Sequence, residues 1–414
     1  MSPDPKNAIS RVELIALLAM LAATVAFSID AMLPVLPGIA DALTPDAPNR
    51  AQLVVATFVV GMGVGTLIAG PLSDALGRRP IAVVGAAIYI AGALLAAIAP
   101  TLEMMLAART LQGFGAAGPR IVSLALTRDL FSGRQMARIV SFVMMVFTLV
   151  PVIAPTMGAA IAWAFGWRAI FLSFAIFSVI SMAWLLIRQP ETLPPERRRP
   201  FRAHEIWAGA TEVARNRQVM LAIAIQTLVF AMLFMVLMSA QQIFDSVFDR
   251  ADSFPFWFGA IAAVSATASL LNALVVVRLG MRLVVRWALT GLFSVTLVFI
   301  LTLALFDLPG GLAFGMYVVW QTAVFYMAGL GIGNMNAIAM EPMGHIAGMA
   351  ASIISATATV CAVILAAPVS LAFDGTPLPA ALGVLTGTVL ALALVAMLHD
   401  IAPQPDPEPT PGSG

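Results

Sequence analysis

Cysteine, lysine and charge of either sign are all scarce in this chain. The single cysteine, Cys361, excludes an internal disulfide and any cysteine-built metal cluster. Lys6 is the sole lysine, and charged residues make up 10% of the composition against 61% hydrophobic. That ratio excludes water as the main solvent of the folded chain. The histidines, His204, His345 and His399, form no pair at helical spacing suited to a metal. No GxxxxGK[ST] loop is present to hold a nucleotide, and no HExxH pattern or nucleophile–base constellation supports an intramembrane hydrolase. Without a long polar stretch there is no soluble domain to receive a signal, so an enzyme or a receptor is a remote alternative. Neither a cofactor nor a nucleic-acid partner is expected.

What is there is a series of long apolar runs. A hydrocarbon core of about 30 Å needs roughly 20 apolar residues per helix, and the runs predict helices over 13–40, 50–75, 80–99, 102–128, 135–163, 167–188, 218–246, 255–278, 282–306, 311–340, 346–373 and 377–398. Backbone groups in hydrocarbon must be satisfied within a helix or a closed barrel. Barrel strands would alternate in polarity, whereas Ile81 to Ala99 is apolar all round. The expected fold class is therefore an all-α membrane protein of twelve transmembrane helices. The first run continues past Asp30 without a small-residue cleavage pattern and reads as a helix, not a signal peptide.

Basic residues sort by side. Lys6, Arg11, Arg78, Arg79, Arg128, Arg134, Arg138, Arg188, Arg197, Arg198, Arg199, Arg202, Arg215, Arg217, Arg278, Arg282 and Arg286 fall at one set of helix ends, and Arg50, Arg168 and Arg250 at the other. The positive-inside rule then puts both termini in the cytoplasm, in a multi-pass protein of a cell inner membrane. The longest polar interruption divides the chain into 1–188, a linker 189–217, a second half 218–402 and a Pro-rich, acidic tail 403–414 expected to be disordered. Within the linker, Ile206, Trp207, Ala210 and Val213 recur at helical spacing. They form an amphipathic helix lying either on the membrane or beneath the bundle. A shift of 203 residues superposes Leu76, Gly77 and Arg79 on Leu279, Gly280 and Arg282, each set between the second and third helices of its half. Repeated halves of this kind place a substrate site between them.

Three segments carry motifs. Between helices 2 and 3 runs Gly70-Pro71-Leu72-Ser73-Asp74-Ala75-Leu76-Gly77-Arg78-Arg79-Pro80; helix 4 holds Arg109-Thr110-Leu111-Gln112-Gly113; helix 5 holds Pro151-Val152-Ile153-Ala154-Pro155-Thr156-Met157-Gly158. They resemble motifs A, B and C of the major facilitator superfamily, although Ala154 and Ala159 stand where the general motif C has glycine. Ser28-Ile29-Asp30-Ala31-Met32-Leu33-Pro34, Arg128-Asp129-Leu130-Phe131, Pro190-Glu191-Thr192-Leu193 and Glu341-Pro342 with His345-Ile346-Ala347-Gly348 are similar to segments of its Bcr/CflA-like drug/proton antiporter branch. The resemblance implies two six-helix bundles working by alternating access, and a multidrug exporter driven by protons. It also implies an inner gate built from Gly70, Asp74, Gly77, Arg78, Arg79 and Arg138, and an antiporter motif at Pro151, Pro155 and Gly158.

A charge at mid-bilayer costs about 2.5–3.5 kcal/mol on the lenient insertion scale and marks function by default. Asp30 lies about 15 Å, and Arg109 about 10 Å, below the outer surface at 1.5 Å per residue, a proton-coupling pair if the arginine spans the difference. Arg120, eleven residues on, returns to within roughly 20° of the Arg109 face. Gln112, Arg120, Met144, Met235, Tyr326 and Asn334 are candidate cavity residues, since flexible thioethers and adaptable polar groups suit varied substrates. The expected partners are protons, a small amphipathic substrate and the lipid bilayer, with the protein acting as a monomer. A proton-coupled importer of a small metabolite is the alternative.

Overall fold

Apolar runs joined by short Gly- and Pro-containing turns leave the backbone one solution in lipid, the helix, and every regular element among the described residues is helical. The computed structural model describes residues 10–198 and 201–398. The side chains of Arg138 and Met144, others between positions 134 and 148, and those of Ala203 and Glu205 lie outside the described residues, as do Lys6, Arg199, His399 and the 403–414 tail.

Helix α1 (Arg11–Asp30) starts at Ser10, whose Oγ accepts from the Glu13 N–H at 3.1 Å, an N-cap. It ends at Asp30, where Pro34 withholds the N–H that the Asp30 carbonyl would have used. The chain continues through a single tight turn, Leu33–Val35, into α2 (Leu36–Leu43), so the first span is broken beside its acid. Then come α3 (Leu53–Leu76), α4 (Arg78–Ala97), α5 (Leu102–Leu130), α6 (Gly133–Phe165) and α7 (Ala169–Arg188). After the joint helix α8 (Ala203–Arg215) follow α9 (Arg217–Gln242), α10 (Phe254–Leu279), α11 (Met281–Leu305), α12 (Gly310–Met340), α13 (Ala347–Leu371) and α14 (Leu378–Met397). With α1 and α2 as one span, six spans precede α8 and six follow it. By length and apolarity nine stretches among the described residues are fit to cross a membrane, α12 and α13 falling within one of them. Helix α5 is not among the nine, because Arg109 and Arg120 interrupt it, and α6 has its apolar run in Leu149–Phe165.

In the first group α5 packs on α3 and α4, and α1 on α5, α6 and α7; in the second, α9 is surrounded by α12, α13 and α14. The groups meet along two seams, α3 against α13 and α6 against α10. Small residues set these distances, as is usual in membranes. A Cβ on Gly113 of α5 would strike the Phe58 carbonyl of α3. Outward faces stay apolar, with Trp163 and Val277 about nine-tenths exposed (90% and 88%).

The faint repeat has a conformational counterpart. Gly77 joins α3 to α4 with φ 107°, and Gly280 joins α10 to α11 with φ 80°, a region that glycine enters without steric cost. Both halves therefore turn on a glycine at the matched position. The joint helix α8 packs on α9 and α13, with Glu212 Oε1 2.6 Å from His345 Nε2 and Gly209 against the Met349 sulfur. It sits beneath the second group of helices.

Candidate functional site

At the arginine-rich end the turn between α3 and α4 is held by a network centred on Arg78. Its Nη1 donates to Asp74 Oδ1 at 2.6 Å and to Ser73 Oγ at 2.9 Å, while Nε and Nη2 donate to the two Asp129 oxygens at 2.9 and 3.3 Å. This is the bidentate geometry that favours arginine over lysine. Glu191 completes the cluster from the joint after α7. Its Oε1 accepts from the Arg78 N–H and its Oε2 from the Arg79 N–H, both at 3.0 Å, so the carboxylate sits on the N-terminus of α4 where the helix dipole welcomes it. Burial pushes the Glu191 carboxyl up, but backbone N–H groups of Leu193, Arg78, Arg79 and Thr192 outweigh it and hold the group below the usual glutamate range. Arg79 reaches the Leu186 carbonyl at 2.7 Å. Gly70 faces Ser352 of α13 across the seam. Of the gate arginines, Arg78 pairs with Asp74; the Arg138 side chain lies outside the described residues.

Nearer mid-membrane, Arg109 is fully buried. Its guanidinium donates to the Ser28 carbonyl at 3.1 Å, the Val54 carbonyl at 3.1 Å and Gln112 Oε1 at 2.7 Å, and lies 4.3 Å from the Phe58 ring centre. One cation thus ties α1, α3 and α5 together by hydrogen bonds and a cation–π contact. Ser28 Oγ is 2.5 Å from Tyr89 OH on α4. Asp30, two residues past the carbonyl that Arg109 grips, is buried and has neither hydrogen bond nor ion pair among the described residues. The expected direct pair of Asp30 and Arg109 is therefore not formed; the guanidinium turns to the Ser28 and Val54 carbonyls and to Gln112 Oε1 instead. Gly158 of α6 presses on the Ala31 carbonyl so tightly that a Cβ there would overlap it, and Pro155 and Pro151 stand about one and two turns below. The α6 motif thereby touches the chain immediately beside the acid.

The remaining candidates disperse. Gln112 serves Arg109. Asn334 donates to Asn272 Oδ1 on α10 and to the Leu330 carbonyl, both at 2.7 Å, joining α12 to α10. The Met235 sulfur lies against Gly383 of α14, so this side chain fills the second group's interior and departs from the expected cavity lining. Tyr326 departs likewise, since it borders an apolar groove of about 370 Å³ between α11 and α12 with Trp287, Gly291 and Val319. Met144 lies outside the described side chains. Arg120 is half-buried and makes no hydrogen bond or ion pair among the described residues.

Sequence reasoning passed over the far end. There Asn49 Nδ2 donates to the Leu371 carbonyl at 3.0 Å and the Phe373 carbonyl at 2.8 Å, its Oδ1 accepts from Gln242 Nε2 at 2.6 Å, and Gln52 donates to Gln242 Oε1. These amides close the first group onto α9 and α13. The only sequence signal was polar amides next to predicted helix ends.

Twelve helical spans in two groups that meet along two seams, with a buried acid at the break in the first span, are the architecture of a membrane transporter. The chain belongs to the Major Facilitator Superfamily, whose family model matches residues 17–368. It is 30% identical over 334 residues to the bicyclomycin resistance protein homolog of Haemophilus influenzae, covering 79% of this chain and 81% of that one. It is 34% identical over 158 residues to a chloramphenicol resistance protein of Pseudomonas aeruginosa, covering 37% of this chain and 38% of the other. Among solved structures, the D-xylose-proton symporter shares the fold with a TM-score of 0.69 at 16% identity, over 93% of this chain and 97% of that one.

Proposed function

We propose that the chain exports small amphipathic compounds from the cytoplasm in exchange for protons, with the arginine-rich end inside an inner membrane and the monomer as the working unit. The observation that carries this is Asp30: a buried carboxyl without a partner, at a helix break, next to the Arg109 cluster and the Gly158 contact. An acid so placed is stable neutral and ionises only when a conformational change or a substrate compensates it. Drug-resistance relatives support the substrate class and the outward direction. With the far end shut by the Asn49 amides, the substrate enters from the cytoplasm. Arg109 couples to Asp30 through the α1 backbone, by gripping the Ser28 carbonyl. The Asp74–Arg78–Asp129 cluster keeps the α3–α4 turn rigid as the helices rock about the seams.

Proton release into a pH dye on adding chloramphenicol to the detergent-solubilised protein, together with uptake into inverted vesicles, tests the reading. Asp30→Asn imitates the neutral acid, so both signals should disappear while the protein still inserts. Export against a gradient at the wild-type rate by that variant would refute the role of Asp30. Flux into right-side-out vesicles alone would make the chain an importer.

A further inference from the structure

Arg120 is the one intramembrane charge that the coupling scheme leaves unused. Its direction follows from its neighbours on α5. Gly115 and Gly118, which pack on α4, lie roughly 140–160° around the helix from it at 100° per residue. Gly113 and Ala117, which meet Phe58 and Gly65 of α3, are within roughly 20–60° of it on one side, and Ser123, whose Oγ donates to the Leu18 carbonyl of α1 at 2.8 Å, is about 60° away on the other. Arg120 therefore looks away from peripheral α4, between α1 and α3, toward the side where α3 and α6 meet the second group.

Among the described residues no carboxylate is available to it there. Among the described residues the acids of the spanning helices are Glu13, Asp30, Asp41, Asp74, Glu103 and Asp129, with none in α6, α7 or α9 through α14; Asp41 stands at the far end of the first span, near Asp245, Asp249 and Asp252, and the exposed Glu341 follows α12. Glu13 is bound to Arg188, Glu103 to Arg50, and Asp74 and Asp129 to Arg78. Asp30 is at the wrong depth. The bonds Ser123 to Leu18 and Arg109 to Ser28 set the register of α5 on α1, and put Arg120 near the level of Leu21, roughly 15 Å along the axis from Asp30. At that depth, among the described residues, the path between the halves thus holds an unanswered guanidinium and no carboxylate. A forked donor in a low-dielectric site attracts a planar or tetrahedral oxyanion strongly and repels an ammonium.

We infer that Arg120 is a specificity-determining residue that selects amphipathic substrates bearing an anionic oxygen group, carboxylate or sulfonate, over lipophilic cations. This rests on the export reading above and deepens it. Equilibrium binding of 1-naphthalenesulfonate and 1-naphthylmethylammonium, similar in size and opposite in charge, to the purified full chain tests it. Wild type should hold the sulfonate at least about tenfold more tightly, Arg120→Gln should erase that preference, and Arg120→Lys should retain part of it because the charge stays and the fork is lost. Equal or cation-favouring binding by wild type, or an undiminished preference in Arg120→Gln, would overturn the inference. If Arg120→Gln does not fold, the wild-type pair and Arg120→Lys still decide. Intact chloramphenicol-driven proton release without a charge preference sinks this inference alone. A charge preference without proton release from any compound sinks the export reading alone.

Discussion

Arg109 shows what a single side chain must do in hydrocarbon. Each guanidinium nitrogen that donates has one acceptor, and two of the three are main-chain carbonyls of other helices. Arg109→Lys keeps the charge but not the fork, leaving buried acceptors on α1 and α3 unmet at about 1–3 kcal/mol for each. The variant should melt at a lower temperature in detergent and lose export in inverted vesicles; wild-type transport with an unchanged Tm would show that the three bonds are dispensable. The chemistry-bearing residue was legible because an arginine within an apolar run is conspicuous. Its partners were not, because Ser28 and Val54 contribute carbonyl groups that every residue has. Met235 and Tyr326 were misjudged for a related reason: methionines every third residue sweep around α9, and periodicity alone does not say which of them meets α14.

At the scale of the element, α4 is fastened by a residue from another part of the chain. Glu191 arrives after α7 and occupies the first N–H groups of α4, as a local cap would. Its carboxyl is held below the usual glutamate range. The stabilisation from its charge is therefore complete above the unfolded-state pKa and is lost as pH falls through the lower folded value. Melting Glu191→Gln beside wild type across pH should show a lower Tm for the variant at neutral pH and convergence of the two in acid. A constant gap at all pH values would mean that the contacts act without the charge. The helices themselves were readable from apolar runs, and the Gly77 and Gly280 turns from the repeat, since glycine alone relieves such a φ. The joint between Glu191 and α4 was visible only as a sequence resemblance, because nothing in spacing relates positions more than a hundred residues apart.

For the molecule as a whole, alternating access requires the Asn49 closure to open. Asn49→Ala removes the donor to Leu371 and Phe373 and the acceptor for Gln242, and should shift the population toward an outward-open state. Spin labels at Asp46→Cys and Asp374→Cys, in a Cys361→Ala background, should report a longer distance component in the variant. An unaltered distribution would place the closure elsewhere. Two seams and a neutral amide latch were beyond sequence reading, since amides at helix ends cost nothing in water and so attract no notice.

That latch is made of carboxamides and carbonyls, with no formal charge in it. Salt screens ions and acid titrates carboxylates, but neither acts on an amide. The door at that end therefore stays equally shut in fresh water, brine or mild acid, as an ion-pair latch would not.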